Sequence, residues 1–453
     1  MQRATIHSAI FALAFLGILG LATYIRITSA SNTIVNAPIR NDAADYVAYS
    51  YNWKNLNVYS RQVTWVPDHA PDSVVSDAVR PPGYPAFLLL FLSGKPDAAF
   101  VRAVMYAQAS IGIAIVVLAF LLARLLLGSI AALFVMLLTA ISPHLVVMEN
   151  YLLTETLYTA FVVLMVGVGA LALRRPCSTQ GIILAVTTGA TIAICGLIRP
   201  TLEHLALVVL VATCVLPGLR EYRKSALCGL GAFVVMMAPW WTRNIEAIGH
   251  VSDGSLMVRT VHHGSYPDFM YKNDPASLGY PYNFDPHSAE AEANLGAALS
   301  DIVHKFATEP ARYLKWYLFG KVRFFFNWKI VDGFGEFYTY PELETPYYGN
   351  ALFVLTASLM FGLHWPLVIA ALLGSMLSWT RFAALAVADW RLRAMRWLSL
   401  VLLYAIAVHM IGAPFPRYSI PFRPLEYILA VFAVMVFVGW VKEHRRTAGR
   451  QIG

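Results

Sequence analysis

Charged side chains are scarce in this 453-residue chain. Only 13% of its residues are charged, whereas 58% are hydrophobic, and a typical soluble domain carries charge on about a quarter of its residues. This balance excludes a soluble globular protein and predicts a multi-pass membrane protein. The net charge of +8 does not by itself indicate a nucleic-acid partner, because the cytoplasmic loops of membrane proteins carry an excess of Lys and Arg.

Cysteines are also few, and none has the spacing of a metal site. The four cysteines lie in or beside apolar runs, at positions 177, 195, 214 and 228, so we expect neither disulfides nor zinc. The adjacent His262-His263 is predicted to lie in a loop, since neighbouring residues rarely share a face and no third ligand is evident. No glycine-rich phosphate loop is present. No cofactor is firmly predicted, and a divalent metal is not favoured.

Long apolar runs are what the chain has in abundance. Runs of about 20 apolar residues predict about ten membrane-spanning helices. They lie at residues 7–27, 100–123, 129–148, 154–173, 181–198, 202–218, 225–242, 351–378, 397–413 and 424–441. The first resembles a signal peptide, but its apolar part, residues 8–25, is longer than a usual signal sequence, which predicts a retained helix. Residues 86–92 are too short to cross and predict an interfacial or re-entrant helix, and Trp365-Pro366 predicts a kink or an interfacial end.

The short loops predict the orientation. Their Lys and Arg residues fall on one side, which the positive-inside rule makes cytoplasmic together with both termini. Two long hydrophilic loops, residues 28–99 and 243–350, then face outward from a bacterial inner membrane and are expected to carry short interfacial helices. The C-terminal helices occupy residues 351–453, and residues 1–453 are expected to form one membrane domain.

The first long loop contains two closely spaced acids. If Asn41 caps a short helix, Asp42, Asp45, Tyr46 and Tyr49 share one side of it, because they follow the spacing i, i+3, i+4 and i+7. This stripe is polar and aromatic and is not suited to lipid. It indicates a place where an acceptor hydroxyl could be activated, although solvated acids that merely cap a helix would produce the same pattern.

Four arginines lie at predicted outer helix ends, where the positive-inside bias leaves few cations: Arg80, Arg199, Arg243 and Arg417. A planar guanidinium can hold two phosphate oxygens, so their position indicates a phosphate site. For Arg199 and Arg243, contact with lipid headgroups is an equal alternative. Glu155 starts a predicted helix, where an acid also interacts favourably with the helix dipole without any catalytic role.

The order of short motifs resembles a known superfamily. The chain has Asp42 four residues before Tyr46, Arg80-Pro81-Pro82-Gly83-Tyr84-Pro85 before the second span, and Arg417-Tyr418-Ser419-Ile420-Pro421 before the last. Further matches are Ser142-Pro143, Thr154-Glu155, Leu197-Ile198-Arg199-Pro200-Thr201 and Pro239-Trp240-Trp241-Thr242-Arg243-Asn244. Over nearly the whole chain this order resembles the GT-C integral-membrane glycosyltransferases, especially the bacterial relatives of dolichyl-phosphate-mannose protein mannosyltransferases and of the lipid A aminoarabinose transferase.

The resemblance implies an all-α polytopic fold and a reaction. A sugar would pass from a polyprenyl-phosphate carrier to an acceptor hydroxyl of a protein, glycan or lipid, with inversion at the anomeric carbon. Asp42 would be the general base, supported by Asp45 or Glu155. Arg80 and Arg417 would hold the carrier phosphate, with Arg199 and Arg243 as further candidates. Tyr46, Tyr84 and Tyr418 would contact substrate.

The sequence departs from the family pattern at one site residue. Relatives carry Asp-Glu in the first outer loop, whereas Ala43 follows Asp42 here, which argues against functions that need adjacent carboxylates, including metal binding. The chain also lacks the long C-terminal soluble domain of oligosaccharide-transferring relatives, so a single-sugar donor is expected.

Two other functions are compatible with the composition. A transporter or flippase would also have many spans, but transporters usually show inverted repeats and ionisable groups near the middle of the membrane, whereas here these groups gather at outer helix ends. A third possible function is that of a noncatalytic envelope-assembly protein, in which the acids would be dispensable.

Overall fold

Helices make up nearly all of the regular structure. The computed structural model describes residues 2–66, 73–176, 178–330 and 337–451. In chain order its α-helices are α1 (Gln2–Asn32), α2 (Asp42–Leu56), α3 (Gly83–Leu89), α4 (Ala98–Leu127), α5 (Ser129–Ile141), α6 (Pro143–Met148), α7 (Glu155–Arg174), α8 (Thr179–Ile198), α9 (Leu205–Val215), α10 (Arg223–Ile248), α11 (Ser255–His263), α12 (Ser288–Ala291), α13 (Leu295–Thr308), α14 (Pro310–Lys315), α15 (Lys321–Phe325), α16 (Ala351–Leu377), α17 (Asp389–Ile411) and α18 (Arg423–Gln451). The predicted helical membrane fold is confirmed.

Short helical turns and one small sheet complete the described structure. The 3₁₀ turns are Pro200–Leu202, Pro217–Tyr222, Pro267–Phe269, Pro275–Ser277, Pro281–Asn283, Pro346–Tyr348, Arg381–Leu385 and Pro416–Phe422, and a π turn spans Trp316–Gly320. Strands β1 (Ile34–Val35) and β2 (Glu342–Glu344) pair antiparallel, with Ile34 opposite Glu344 and Val35 opposite Glu342. The sheet was not predicted, and it ties the first long loop to the second.

Eight helices in the described part of the chain are long and apolar enough to cross a membrane: α1, α4, α7, α8, α10, α16, α17 and α18. The chain is therefore a multi-pass membrane protein. Two of the predicted spans correspond to shorter helices, since α5 has 13 residues and α9 has 11. At 1.5 Å per residue these reach only about 20 and 16 Å, short of a hydrocarbon core about 30 Å thick. Neither crosses alone, and the count of ten stays a prediction.

A buried ion pair stabilises the early end of α5. The helix stops at Ser142 because Pro143 lacks the N–H needed to continue it, which leaves terminal carbonyls without helical partners. Arg26 of α1 donates to two of them, the Ala140 oxygen at 2.9 Å and the Thr139 oxygen at 3.1 Å. Its Nε lies 3.0 Å from Glu149 Oε1. This pair was not anticipated, because nothing in the local sequence joins residue 26 to residue 149.

Close helix packing positions the ends of α8 and α10. A Cβ atom on Gly189 would lie 1.9 Å from the Gly229 carbonyl oxygen, so the two backbones meet at a contact that only glycine permits. Small residues at such crossings are a common device for packing membrane helices. Arg199 directly follows α8 and Arg243 lies near the end of α10, on the same membrane face as the long loops.

The long loops hold several predicted features in altered form. The predicted interfacial helix at 86–92 is α3, which begins three residues earlier. Asn41 precedes α2 as expected, but its side chain makes no capping hydrogen bond and its φ is 47°, so the prediction of a side-chain cap was wrong. Pro366 lies inside an uninterrupted α16. His262 and His263 end helix α11 instead of lying in a loop.

Candidate active site

The first turn of α2 presents two carboxylates at the membrane face that carries the long loops. Asp42 and Asp45 are about a quarter exposed, at 23% and 26% of their side-chain surface. Tyr46 and Tyr49, on the same helix, are buried. Asp42 and Asp45 therefore share one side of α2, as the helical spacing predicted, whereas Tyr46 and Tyr49 pack inward and support the helix.

Two arginines from distant parts of the chain meet at Asp42. Arg80 Nη2 donates to Asp42 Oδ1 at 2.6 Å and to Asp45 Oδ2 at 3.0 Å, and its Nε donates to Asp45 Oδ2 at 3.1 Å. Arg417 Nη2 donates to the other Asp42 oxygen, Oδ2. Each oxygen of Asp42 is thus held by a different guanidinium. Arg80 belongs to the same long loop as Asp42, whereas Arg417 ties that loop to the 3₁₀ turn before α18.

Local sequence explains how each arginine reaches this point. A Cβ on Gly83 would lie 2.7 Å from the Leu197 carbonyl oxygen, so glycine lets the start of α3 press against the end of α8. The hydroxyl of Tyr59 donates to the Arg80 carbonyl at 2.9 Å and fixes the backbone there. Arg417 lies in a 3₁₀ turn with Pro416 at its first position, where proline is tolerated because that N–H has no helical partner.

A second pair lies beside the first. Arg199 Nη1 donates to Glu155 Oε1 at 3.0 Å, and Glu155 is buried while Arg199 retains 15% exposure. The Tyr418 ring lies between cations, with its centroid 4.0 Å from the Arg199 guanidinium carbon and 5.3 Å from that of Arg417. We refer to Asp42, Asp45, Glu155, Arg80, Arg199 and Arg417 as the acid–arginine cluster. Its three acids and three bases balance when all are ionised.

The two aspartates differ in proton affinity. Burial alone would raise the pKa of Asp42, but Arg417 and Arg80 outweigh it and hold that pKa far below its ordinary value. Burial raises the pKa of Asp45, the attraction of Arg80 notwithstanding, and the neighbouring Asp42 charge adds to the increase. Asp42 is therefore fully ionised and weakly basic while both arginines contact it, and Asp45 is the stronger proton acceptor of the two.

Four residues predicted for the site lie outside the cluster: Tyr46 and Tyr418 lie against its arginines, whereas Tyr84 and Arg243 make their hydrogen bonds elsewhere. Tyr84 is fully buried and its hydroxyl donates to Gln108 Oε1 at 3.0 Å, so no surface is left for substrate. Arg243 donates to the carbonyl oxygens of Asp77 at 2.7 Å and Tyr59 at 3.0 Å. Because Tyr59 in turn fixes the Arg80 backbone, Arg243 is placed to position the loop. Its predicted phosphate contact remains untested.

Arg243→Gln is expected to loosen the first long loop. Two hydrogen bonds from a charged donor would be lost, and each such bond contributes about 2 kcal/mol. Limited digestion with proteinase K should then cut residues 28–99 faster than in the wild-type protein. Trypsin is unsuitable because the substitution itself removes a trypsin cleavage site. The control is Arg259→Gln, which changes an arginine with 62% side-chain exposure in the second long loop. Unchanged protection of the first loop would contradict the positioning role.

The second long loop adds Tyr340, a residue that the sequence gave no reason to single out. The Tyr340 hydroxyl donates to the Arg40 carbonyl at 3.2 Å, just before α2, and the Arg40 guanidinium carbon lies 5.5 Å from the Tyr340 ring centroid. Strand β2 brings Tyr340 to this position. The available signal was the density of aromatic residues in the second loop, which does not identify an individual tyrosine.

The described residues contain no group of three or more His, Cys, Asp or Glu side chains that could hold a metal ion. Asp42 and Asp45 both pair with Arg80, and Ala43 supplies no third ligand. The arrangement as it stands fits an anion better than a cation, because the arginines surround the carboxylates and reach the same partly exposed surface.

Structural comparison finds known folds of this kind. No protein-family model matches the chain, and no curated protein is detectably similar in sequence. The Archaeoglobus fulgidus oligosaccharyltransferase AglB, in complex with an inhibitory peptide and a dolichol-phosphate, matches over 98% of this chain and 52% of its own, with 14% identity and a TM-score of 0.54. The apo form matches 97% of this chain and 52% of its own, with 14% identity and a TM-score of 0.52.

A weaker likeness involves a second solved protein. ArnT from Cupriavidus metallidurans bound to undecaprenyl phosphate matches 96% of this chain and 78% of its own, at 15% identity and a TM-score of 0.42, too low to add to the fold assignment. The chain spans about half the length of the oligosaccharyltransferases it matches. The chain therefore shares the membrane fold of these oligosaccharyltransferases, and this is the helical polytopic fold that its motifs predicted.

Proposed function

We propose that this protein transfers a single sugar from a polyprenyl-phosphate carrier to an acceptor hydroxyl at the outer membrane face, with inversion. The observation that carries the proposal is the carboxylate of Asp42, whose two oxygens are held by Arg80 and Arg417 at a partly exposed surface. A proton acceptor and two cations side by side meet the two needs of the reaction. One is a base for the attacking hydroxyl, and the other is positive charge for the departing phosphate.

Arg80 and Arg417 are the proposed phosphate ligands. A phosphate leaving group is already anionic and is stabilised by cations without needing a proton. A guanidinium carries five N–H donors, and Arg417 makes one hydrogen bond to Asp42 in the described structure, so much of its donor capacity remains for phosphate oxygens. Dolichol-phosphate bound to the archaeal oligosaccharyltransferase of the same fold supports a lipid phosphate as the ligand class.

Donor binding would prepare the base. The arginines that lower the proton affinity of Asp42 are the ones that the phosphate needs, so an arriving phosphate competes with Asp42 for them. Once the phosphate shares the two arginines with Asp42, the proton affinity of Asp42 rises. The acceptor oxygen then bonds to the anomeric carbon as the bond from that carbon to the phosphate oxygen breaks. The acceptor proton passes to Asp42. The leaving group is polyprenyl phosphate, whose negative charge Arg80 and Arg417 stabilise.

Supporting residues would act around this centre. Asp45 shares the Arg80 guanidinium with Asp42 and has a raised pKa, so it is a second proton acceptor beside the base. Glu155 keeps Arg199 fixed against Tyr418, which lets Arg199 add positive charge beside Arg417. The sugar and the acceptor are not specified by these contacts.

The proposal is tested with the purified full-length protein in liposomes. Synthetic polyprenyl-phosphate hexoses and pentoses are supplied together with an envelope extract from cells that lack this chain, and release of polyprenyl phosphate is followed by mass spectrometry. Release that requires both wild-type protein and extract is expected. Use of pyrophosphate-linked oligosaccharides alone would contradict the single-sugar donor. Movement of an intact donor across the bilayer without bond cleavage would instead indicate that the protein is a transporter.

A further inference from the structure

A cavity of about 550 Å³ lies at the ends of α4, α7 and α17. The acid–arginine cluster includes Glu155, the first residue of α7, whereas the cavity is lined by Arg174, the last. The 20 residues of α7 span about 30 Å, so the two sites lie at opposite faces of the membrane. The cavity is therefore separate from the site described above.

Three arginines from three different helices converge on this cavity. Arg124 comes from the last turn of α4, Arg174 from the last turn of α7 and Arg391 from the first turn of α17. All three are exposed. Because α4 and α17 both pack against α7, the convergence is a property of the fold and not of a single basic segment.

The described ion pairs leave the cations around the cavity without acidic partners. Within the described ranges no ion pair joins Arg124, Arg174 or Arg391 to a carboxylate, although Asp389 also lines the cavity. Arg174 and Arg391 instead lie against the Trp390 ring, with guanidinium carbons 5.4 and 5.9 Å from its centroid. Three positive charges against one negative charge favour an anionic ligand over a cationic or neutral one.

The remaining walls distinguish a lipid from a free ion. Leu121 and Leu125, one turn apart on α4, line the same cavity, and Leu121 lies deeper in the membrane helix than Arg124. Tryptophan is enriched at the membrane–water boundary, where Trp390 forms the other side. A cavity lined both by arginines and by aliphatic side chains of a membrane helix matches a phosphate headgroup that continues into acyl chains.

We propose that this cavity binds the phosphate headgroup of an anionic phospholipid. Basic pockets between membrane helices bind such headgroups, and each Arg near an anionic membrane surface contributes about fivefold to binding. Isolated exposed arginines would contact many lipids weakly and exchangeably. Three arginines around one cavity define a site at which one headgroup is retained. The proposal does not depend on the transferase reaction.

The test uses full-length protein in nanodiscs that contain phosphatidylcholine with increasing phosphatidylglycerol. Native mass spectrometry of the released protein measures how many phosphatidylglycerol molecules it retains. The variant is Arg124→Gln/Arg174→Gln/Arg391→Gln. Its matched control, Arg175→Gln/Arg220→Gln/Arg381→Gln, removes the same charge from the same membrane face without touching the cavity. A third variant, Arg124→Lys/Arg174→Lys/Arg391→Lys, keeps the positive charge at the cavity.

Wild-type protein and the control are expected to retain one phosphatidylglycerol, and the cavity variant should bind it on the order of a hundredfold more weakly. The lysine variant should recover most of the affinity, which separates loss of charge from misfolding. Equal weakening in the cavity variant and the control would overturn the proposal, since it would indicate a nonspecific surface charge. Inorganic phosphate bound as well as the lipid, or no retained lipid in the wild-type protein, would also overturn it.

Discussion

Asp42→Asn is expected to abolish sugar transfer while the protein still inserts and folds. A well-placed general base contributes about 10²- to 10⁴-fold to a rate, and the amide cannot accept the acceptor proton. The loss should appear in kcat. Donor binding should be unchanged or tighter, because the substitution removes the carboxylate that competes with the donor phosphate for Arg80 and Arg417. Single-turnover kinetics and donor titration by calorimetry measure the two effects separately.

Asp45→Asn is the matched control for this variant. It changes an acid of similar exposure on the same helix turn, also paired with Arg80, but leaves the Asp42 pair with Arg417 intact. We expect a loss smaller than that of Asp42→Asn by at least about tenfold, within the range that a supporting proton acceptor gives. Full activity in a monodisperse Asp42→Asn protein would remove the proposed base, and an equal loss in both variants would assign the chemistry to the pair.

Arg417→Ala is expected to raise the donor dissociation constant about 30-fold, since a charge-assisted contact contributes about 2 kcal/mol. The acceptor KM should change little. Arg417 makes the one hydrogen bond to Asp42 Oδ2 found among the described residues, so its removal frees that oxygen and raises the proton affinity of Asp42. Transfer at saturating donor should therefore fall less than donor binding does.

Arg312→Ala provides the comparison, because Arg312 pairs with Glu309 in the second long loop and lies outside the cluster. It should leave donor affinity unchanged. The two members of the Asp42–Arg417 pair thus have opposite expected effects on donor binding. If the ion pair were only structural, replacing either partner would weaken donor binding or leave it unchanged. An unchanged donor dissociation constant in Arg417→Ala would refute the phosphate role.

The membrane fold could be predicted from the sequence because its signals are local. A run of about 20 apolar residues specifies a span without reference to any other segment, and α4, α7, α8 and α16 lie where such runs predicted them. The weaker predictions concern α5 and α9, which are shorter than the apolar runs that predicted them as spans. Pro143 ends α5, and Arg26 stabilises that end from another helix. Composition alone does not reveal such a contact.

The candidate site was partly predictable for the same reason. Asp42 and Asp45 share a face of α2 because helical periodicity is local, and the Arg-Pro-Pro-Gly and Arg-Tyr motifs marked Arg80 and Arg417. Arg243 and Tyr84 matched motifs equally well, yet the first binds loop carbonyls and the second is buried. Tyr340 had no motif, and a two-stranded sheet brings it beside α2.

The sequence by itself determined that this chain spans a membrane, that its acids fall on one helical stripe and that arginines stand at the ends of its helices. Each of these follows from hydropathy or from a spacing of a few residues. Only the tertiary structure decided which arginines reach Asp42, and that Arg124, Arg174 and Arg391 share a cavity at the far membrane face. Asp42 and Arg417 are 375 residues apart, and helix packing, which no local pattern encodes, brings them together.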